Sequence, residues 1–325
     1  MDLKLLSQIL SISSCSGYEQ DMLNFISNYA SNINEEFSIE SDSRWLEIRK
    51  DNNKKENITI IFHADEVGFI LTKQTGGKFS LKKKGGLIKS SFIGVTASVD
   101  DYIGVIVPEN ENDLYIEKIG DIDLSIDFLK KTTHLKHLER KQVEFNTHFK
   151  TLDSSVVGKG LDNKIGIYLA CRILPILKCC KYNVSLFFST EEEINNCVYP
   201  DHLFNSDLII CVDAFSTLED DCNRGKGVVV SLPPNSNSTD YLKITNKLKN
   251  NNILFQLSYV ENNTGTELDL ITQDNRNNKL KYLILSYPTS YMHSINEVVM
   301  YSDIISTEKA INLYISNEKQ ITSYS

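Results

Sequence analysis

Three consecutive glutamates, Glu191 to Glu193, follow an apolar run of strand length, NVSLFFS at 183–189. Adjacent carboxylates repel one another, and burying even one costs free energy unless positive charge lies beside it. An acidic triplet of this kind is most often a solvated turn. Because this one ends an apolar strand, it also favours a second interpretation, in which a divalent cation supplies the missing positive charge.

Other histidines and carboxylates stand at the ends of apolar segments in the same way. They are His63 and Asp65 after ITIIF, Asp162 before IGIYLACRILPIL, Asp213 after LIICV, and His293 after YLILS. Functional sites in open α/β sheets form at the carboxyl ends of strands, so five separate elements could bring these side chains to one edge. Taken alone, His63 is more often a buried core histidine, Asp213 could cap a following helix, and His293 could lie in a surface loop.

Imidazoles and carboxylates in this combination suit a pair of divalent metal ions. One carboxylate can bridge two ions, and imidazole or carboxylate groups serve as terminal ligands of zinc, cobalt or manganese. A water between two cations loses a proton easily, and a free carboxylate nearby can accept it. The triplet therefore predicts one glutamate as a ligand and another as a general base. Strand alternation groups Glu191 with Glu193 but does not separate base from ligand.

The segments that must position these residues alternate between helix and strand. Residues 3–10 and 19–30 have helical periodicity, and 165–177 is typical of a buried helix that ends or kinks near Pro175. The runs at 58–71, 183–189 and 207–215 are apolar and typical of strands. This pattern predicts an α/β protein, with a three-layer α/β/α catalytic domain and a mixed, mostly buried sheet.

The middle of the chain differs from the two ends. From about Thr72 to Ser155 the segments are shorter, more polar and β-like, and Gly-Gly pairs at 76–77 and 85–86 mark turns. We therefore predict a small inserted β-rich domain of the dimerisation type at 71–155. The catalytic domain would then be discontinuous, comprising 1–70 and 156–325.

The composition of the chain argues against several functional classes. The 325 residues are 41% hydrophobic and carry a formal net charge of −9, which argues against a nucleic-acid-binding surface. No apolar run approaches the ~18 residues of a membrane span, and the N-terminus is typical of an amphipathic helix rather than a signal peptide. Seven scattered cysteines without a CxxC pair disfavour a disulfide framework. We expect a cytoplasmic protein with neither nucleic-acid nor membrane partners.

Six segments, in chain order, resemble the motifs of a known family. HADEVGF, GLDNKIG, TEEEI, CVDAF, TGTELD and YPTSYMHSINEV, with SGYEQ near the N-terminus, are similar to motifs of the tetrahedral (TET) aminopeptidases. This is the deblocking and glutamyl aminopeptidase family of dinuclear-metal peptidases. The resemblance covers nearly the whole chain, including the inserted domain. It implies two divalent metal ions per chain, with zinc as the first expectation and cobalt or manganese as alternatives.

The resemblance also implies a ligand set. His63, Asp162 and Asp213 would bind one metal ion. Asp162, Glu193 and His293 would bind the other, so that Asp162 is the bridge.

Two further roles follow from the same match. Glu192 would be the general base, and Asp65 would orient His63 from behind, as metal-bound imidazoles usually require. Glu191 falls where the family tends to have glutamine and receives no catalytic role. The chain departs from the family pattern at five other positions: Asn163, Lys164, Asn195, Asn196 and Ser290.

The implied function is metal-dependent removal of N-terminal residues from peptides with free N-termini. The implied assembly is a homo-oligomer, either a dimer or a tetrahedral dodecamer. Alternatives are a metal-dependent amidase of the same fold and a catalytically impaired homologue that acts as a binding or assembly protein. A glycosidase would also use paired carboxylates, but adjacent glutamates at one strand end are poorly placed to act on opposite faces of a sugar.

Overall fold

The computed structural model of the chain describes residues 1–75, 77–110, 113, 122–129, 135–145, 149–218, 222–232, 238–260, 263–274, 276 and 280–316. The helices are α1 (Leu3–Leu10), α2 (Gln20–Ile33), α3 (Leu161–Ile173), α4 (Ser238–Asn250), α5 (Leu268–Gln273) and α6 (Tyr301–Ile315). The first nine strands are β1 (Ser38–Ser41), β2 (Trp45–Lys50), β3 (Asn57–His63), β4 (Gly68–Thr75), β5 (Lys78–Lys84), β6 (Thr96–Val99), β7 (Tyr102–Pro108), β8 (Leu124–Phe128) and β9 (Glu144–Phe145). The others are β10 (Lys150–Leu152), β11 (Ser155–Gly158), β12 (Asn183–Ser189), β13 (Leu208–Ser216), β14 (Val228–Leu232), β15 (Phe255–Tyr259), β16 (Tyr282–Ser290) and β17 (Glu297–Met300).

A large mixed sheet forms the centre of the molecule. Its described strands run in the order β1-β2-β12-β3-β13-β16-β17-β11-β10, and β14 and β15 are attached through β16. β12, β3, β13 and β16 are parallel to one another, so their carboxyl ends lie along one edge. β17 runs antiparallel to both β16 and β11. The strands that were predicted to carry site residues are therefore neighbours.

Side-chain alternation along the central strands sorts the core into two faces. In β3, Ile60 and Phe62 join the cluster that α1, α2, α3 and α6 cover, whereas Ile61 joins a second cluster with α5. His63 continues the alternation on the face of Ile61. This arrangement confirms the predicted α/β/α layers and the mixed, mostly buried sheet.

A second sheet has its own core. Its described strands run in the order β4-β5-β8-β7-β6-β9. Phe69, Phe79 and Phe92 are fully buried within it. The strands before and after this block, β3 and β10, belong to the central sheet, which confirms the predicted β-rich insertion.

The helix predicted around 165–177 ends as its sequence indicates. α3 stops at Ile173 and is followed by a 3₁₀ turn, Leu174–Cys179, that contains Pro175. Proline lacks the N–H that an α-helix requires at this point, so the chain changes helix type there. None of the described helices combines the length and apolarity that a membrane crossing requires.

Truncation of Phe188 is expected to destabilise the central sheet. Its ring stacks on that of Phe62 with centroids 5.6 Å apart, and both side chains are fully buried. We expect Phe188→Ala to lower the free energy of unfolding by about 3–5 kcal/mol, because it leaves a cavity under the sheet. Urea unfolding of the metal-free protein measures this. The matched control is Leu152→Ala, at a side chain that is 55% exposed, and an equal loss in both variants would contradict the prediction.

Candidate metal centre

His63 ends β3 at the edge where the parallel strands finish, and it is 1% exposed. Its Nε2 lies 3.0 Å from Oδ1 of Asp162 and 3.2 Å from Oδ1 of Asp213. Its Nδ1 lies 3.1 Å from the carbonyl oxygen of Asp65. The Nδ1–H group donates to that carbonyl, which fixes the orientation of the ring, and Nε2 is the nitrogen that could bind a metal ion placed between it and the two carboxylates.

Asp162 lies at the start of α3, where the backbone has not yet become helical. Its φ and ψ are −80° and 109°. Gly160, two residues earlier, has a φ of +67°, and a Cβ there would lie 2.2 Å from a carboxylate oxygen of Glu66, so any side chain would strain the backbone and displace Glu66. Oδ1 of Asp162 faces His63, and Oδ2 lies 3.3 Å from Nε2 of His293. One buried carboxylate therefore faces two imidazoles on opposite sides.

Asp213 lies within β13 rather than at its end. As the apolar run at 207–215 predicts, β13 continues beyond Asp213, and residues 213–216 pair with β16. Pairing with β3 stops at Cys211. The strand continuation also excludes a helix cap, and Oδ1 of Asp213 instead accepts the N–H of Ala214 at 2.7 Å. Asp213 therefore reaches the site from within a strand, beside the last residue of β3.

The glutamate triplet is a turn rather than a strand. Glu191 has a φ of +57°, and a 3₁₀ turn spans Glu192–Ile194. The carboxylate of Asp65 accepts the N–H groups of Glu192 and Glu193, both at 3.1 Å. It also accepts the hydroxyl of Ser16 at 2.7 Å. Asp65 thus ties His63 to the turn that carries the two glutamates.

The three glutamates separate in space because of this turn. Oε2 of Glu193 lies 3.2 Å from Nε2 of His293. Glu191 instead accepts a hydrogen bond from Asn196 at 2.7 Å and pairs with Arg44 at 3.3 Å. The alternation argument, which grouped Glu191 with Glu193, is wrong because the backbone leaves the extended conformation before Glu192.

His293 completes the cluster from the loop between β16 and β17. Its φ is +65°, a left-handed conformation that is uncommon for residues other than glycine. Its side chain is 24% exposed, so it is neither a core residue nor a free surface loop residue. It is the most accessible of the residues that face Asp162.

Carboxylates outnumber imidazoles in this cluster. Burial, followed by repulsion between the carboxylates, raises the pKa of Asp213 to about 7 and raises the pKa of Glu192 well above its usual range. Burial opposes protonation of His293, but Asp162 and Glu193 outweigh it and raise its pKa to about 11. Buried carboxylates in such excess need an additional positive charge.

Two groups of ligand atoms fit divalent cations. His63, Asp162 and Asp213 offer one atom each within 4.8 Å of one another, and so do Asp162, Glu193 and His293. Oε1 of Glu193 is buried and has no hydrogen-bond partner within the described part of the chain. A buried carboxylate oxygen left unpaired inside a group of potential ligands is what a metal site requires. The residues present therefore fit a pair of metal ions.

Glu192 belongs to neither of these groups. The residue is half-buried, and the charges of His63 and Asp213 are among those that act most strongly on its pKa. A carboxyl group near these potential ligands, but not among them, could exchange protons with a molecule bound there.

A further acidic group near the surface is a weaker candidate for metal binding. Glu40, Glu47 and His202 also offer ligand atoms within 4.8 Å. Arg49 forms ion pairs with both glutamates, so this group already has its positive charge.

Two of the positions that depart from the family pattern, Asn163 and Ser290, have hydrogen-bond partners of their own. Asn163 donates to the carbonyl of Val212 at 2.8 Å and accepts the hydroxyl of Tyr287 at 2.8 Å. Ser290 shares a hydrogen bond of 2.7 Å with Thr217. These contacts fix the backbone on either side of the cluster without adding a ligand.

Sequence reasoning missed a buried ionic triad beside the cluster. Glu66 accepts the ammonium groups of Lys159 at 2.6 Å and Lys164 at 2.8 Å, and all three are buried. Burial opposes ionisation of Glu66, but the two lysines outweigh it and lower its pKa from 4.5 to about 2. Glu66 stands in the quoted motif HADEVGF, yet its partners lie 93 and 98 residues away, so spacing gave no signal.

The triad predicts a pH-dependent stability. Because folding lowers the pKa of Glu66, its stabilisation is complete above pH 4.5 and is lost as the pH falls towards 2. We expect Glu66→Gln to cost about 3–5 kcal/mol at pH 6, since two buried ammonium groups lose their partner. The difference from the wild type should shrink by about 2 kcal/mol between pH 6 and pH 3. Urea unfolding at both pH values tests this, and a constant difference would contradict it.

A second missed residue is Glu267, in the quoted motif TGTELD. It is 1% exposed and accepts hydrogen bonds from Ser189 at 2.8 Å and Cys211 at 3.2 Å. Both donors lie close to site residues along their strands. Glu267 therefore supports the strand ends that carry the cluster.

Known proteins share this architecture. The aminopeptidase APDkam598 from the archaeon Desulfurococcus kamchatkensis superposes with a TM-score of 0.83 at 18% identity, covering 98% of this chain and 96% of that chain. The TET1 peptidase of Pyrococcus horikoshii superposes with a TM-score of 0.79 at 21% identity, covering 97% and 99%. At these identities the likeness establishes the fold.

Sequence comparison identifies the family to which the chain belongs. The putative aminopeptidase FrvX of Escherichia coli (strain K12) is 24% identical over 209 residues, which cover 60% of this chain and 58% of that protein. The match thus spans little more than half the length of that relative. The model of the M42 glutamyl aminopeptidase family matches residues 46–310, most of the chain. The resemblance to the TET aminopeptidases is thereby confirmed, and the chain belongs to the M42 family of glutamyl aminopeptidases, which are peptide-hydrolysing enzymes.

Proposed function

We propose that this protein is a metal-dependent aminopeptidase that removes N-terminal residues from peptides with free N-termini. Membership of a family of aminopeptidases supports this reaction class. The observation that carries the proposal is the position of Asp162. Its two carboxylate oxygens face His63 and His293, which belong to two separate groups of potential ligands.

Each group would hold one divalent ion. His63, Asp162 and Asp213 would bind the first, and Asp162, Glu193 and His293 the second. Nitrogen and carboxylate donors of this kind suit zinc, and also cobalt or manganese. When bound, such a pair polarises the scissile carbonyl and lowers the pKa of a water molecule.

The remaining chemistry belongs to side chains that are not ligands. Glu192 would accept a proton from the attacking water and pass it to the leaving amine. Burial raises its pKa well above the usual range of a glutamate, which helps it to hold the proton that it passes on. Asp65 would hold His63 in its ligating tautomer and keep Glu192 in place through the backbone.

A panel of aminoacyl-chromophore substrates tests the proposal. Chelator-stripped protein should release no chromophore, and addition of zinc, cobalt or manganese should restore release from free N-termini only. Equal cleavage of the acetylated substrates would favour an amidase. No release with any metal, despite bound metal, would favour a binding or assembly protein.

We also propose that the protein is a homo-oligomer. The TET1 peptidase of Pyrococcus horikoshii assembles into a tetrahedron or a large octahedral shell. Light scattering on the purified protein should give the mass of a dimer or a dodecamer, and a monomer mass would contradict the proposal.

A further inference from the structure

Glu297 occupies the point where two ligand-bearing segments leave the sheet. It is the first residue of β17, and this strand pairs with β11 on one side and β16 on the other. β11 leads within four residues to Asp162, and β16 leads within three residues to His293. Both segments therefore start beside Glu297.

The carboxylate of Glu297 contacts the backbone of both residues. Oε2 accepts the N–H of Asp162 at 3.1 Å, and Oε1 accepts the N–H of His293 at 2.9 Å. The side chain is fully buried. Each oxygen serves a different segment, and these segments lie 131 residues apart in the chain, from 162 to 293. The carboxylate therefore links two backbones that no local turn connects.

This link concerns one of the two ligand groups in particular. Asp162 and His293 both belong to the group that includes Glu193. In the other group, His63 and Asp213 are fixed by their own strands, β3 and β13. His293, by contrast, lies in a loop with a left-handed φ of +65°, a conformation that persists only where its surroundings enforce it.

We propose that Glu297 is a positioning residue that sets the spacing of Asp162 and His293 for the second metal ion. The inference rests on the proposed function, because it assumes that these residues are ligands. Glu297 belongs to neither group of potential ligands and would act through two backbone N–H groups. Supporting groups of this kind typically change metal affinity by about 10- to 100-fold.

Asp303 provides a matched control elsewhere in the same fold. It is also fully buried, and its two oxygens accept the N–H groups of Gly225 at 2.7 Å and Gly227 at 2.8 Å. Neither glycine belongs to a group of potential ligands. Asp303→Asn therefore disrupts the same kind of double contact without disturbing the cluster.

The experiment is a zinc titration of the metal-stripped full chain against a chromogenic chelator, with Glu297→Gln, Asp303→Asn and the wild type in parallel. Glutamine keeps the size of the side chain but presents an NH₂ group to one of the two N–H donors. We expect the wild type to bind two zinc ions per chain. Glu297→Gln should bind one of them about 10- to 100-fold more weakly, whereas Asp303→Asn should bind both as the wild type does. The metal-free melting temperatures of the two variants measure the structural cost separately.

Wild-type affinity for both ions in Glu297→Gln would overturn the inference and leave the proposed function intact. An equal loss of affinity in Asp303→Asn would also overturn it, because the effect would then be one of general stability. Fewer than two ions in the wild type would overturn the proposed function itself. If Glu297→Gln does not fold, Glu297→Asp takes its place: its shorter carboxylate cannot reach both N–H groups, so unchanged affinity for both ions would again count against Glu297.

Discussion

Glu192→Gln is expected to lower kcat by about 10²- to 10⁴-fold, the usual contribution of general acid–base catalysis, while zinc content stays at the wild-type level. Glu192 is half-buried in the turn that Asp65 ties to His63, and it belongs to neither group of potential ligands. Glutamine preserves the shape of the side chain and removes only its capacity to take a proton. Steady-state kinetics and elemental analysis on the same preparation measure both quantities.

Glu191→Gln is the matched control for this variant. Glu191 stands one position earlier, and its side chain pairs with Arg44 and Asn196, outside the cluster. The kcat of Glu191→Gln should remain close to that of the wild type. If Glu192→Gln lost zinc together with activity, Glu192 would be a ligand, and its separate role as a base would be refuted.

Asp162→Asn is expected to abolish binding of both metal ions and to reduce activity to background, a larger effect than any loss of proton transfer alone. Asp162 is the member common to the two groups, with one oxygen towards each. Asparagine offers a single neutral oxygen, so it cannot serve both groups. Zinc content after dialysis, together with activity over a range of added zinc, measures the effect.

Asp213→Asn distinguishes a shared ligand from a general disturbance of the cluster. Asp213 belongs to the group of His63 and not to the group of His293. This variant should lose one zinc ion and keep the other. Retention of one ion in Asp162→Asn, or loss of both in Asp213→Asn, would contradict the assignment of Asp162 as the bridge.

The sequence was sufficient to predict that the histidines and carboxylates at the strand ends would lie near one edge of the sheet. The parallel strands β3, β12, β13 and β16 end at one edge, so residues at or near those ends converge regardless of their separation along the chain. His63 and Glu193 illustrate this, since one ends β3 and the other follows β12 by a few residues. Hydrophobic runs in the sequence indicate where the strands lie, and the order of the strands determines which residues at their ends are close together.

The conformation of the residues just beyond the strands could not be predicted in the same way. Alternation failed at Glu191 because its left-handed backbone begins a turn, which depends on the N–H contacts of Glu192 and Glu193 with Asp65. The change of partner along β13, which pairs with β3 only as far as Cys211 and with β16 as far as Ser216, is likewise not encoded in the local sequence. Such features are set by tertiary contacts rather than by periodicity.

The sequence also could not predict the roles of buried carboxylates that accept hydrogen bonds from the backbone. Glu297 lies in the quoted segment YPTSYMHSINEV, but its role depends on Asp162, which is 135 residues away. Only the strand order, with β17 between β11 and β16, brings the two together. Residue type, position at a strand end and the family resemblance indicate candidate ligands, whereas the supporting groups become visible only with the sheet topology.

The most direct test of the two-metal proposal is the anomalous scattering of zinc in crystals of the zinc-loaded protein. We expect two peaks per chain. One should lie within bonding distance of His63 and Asp213, the other within bonding distance of Glu193 and His293, and Asp162 should contact both. A single peak, or zinc bound away from Asp162, would contradict the proposal.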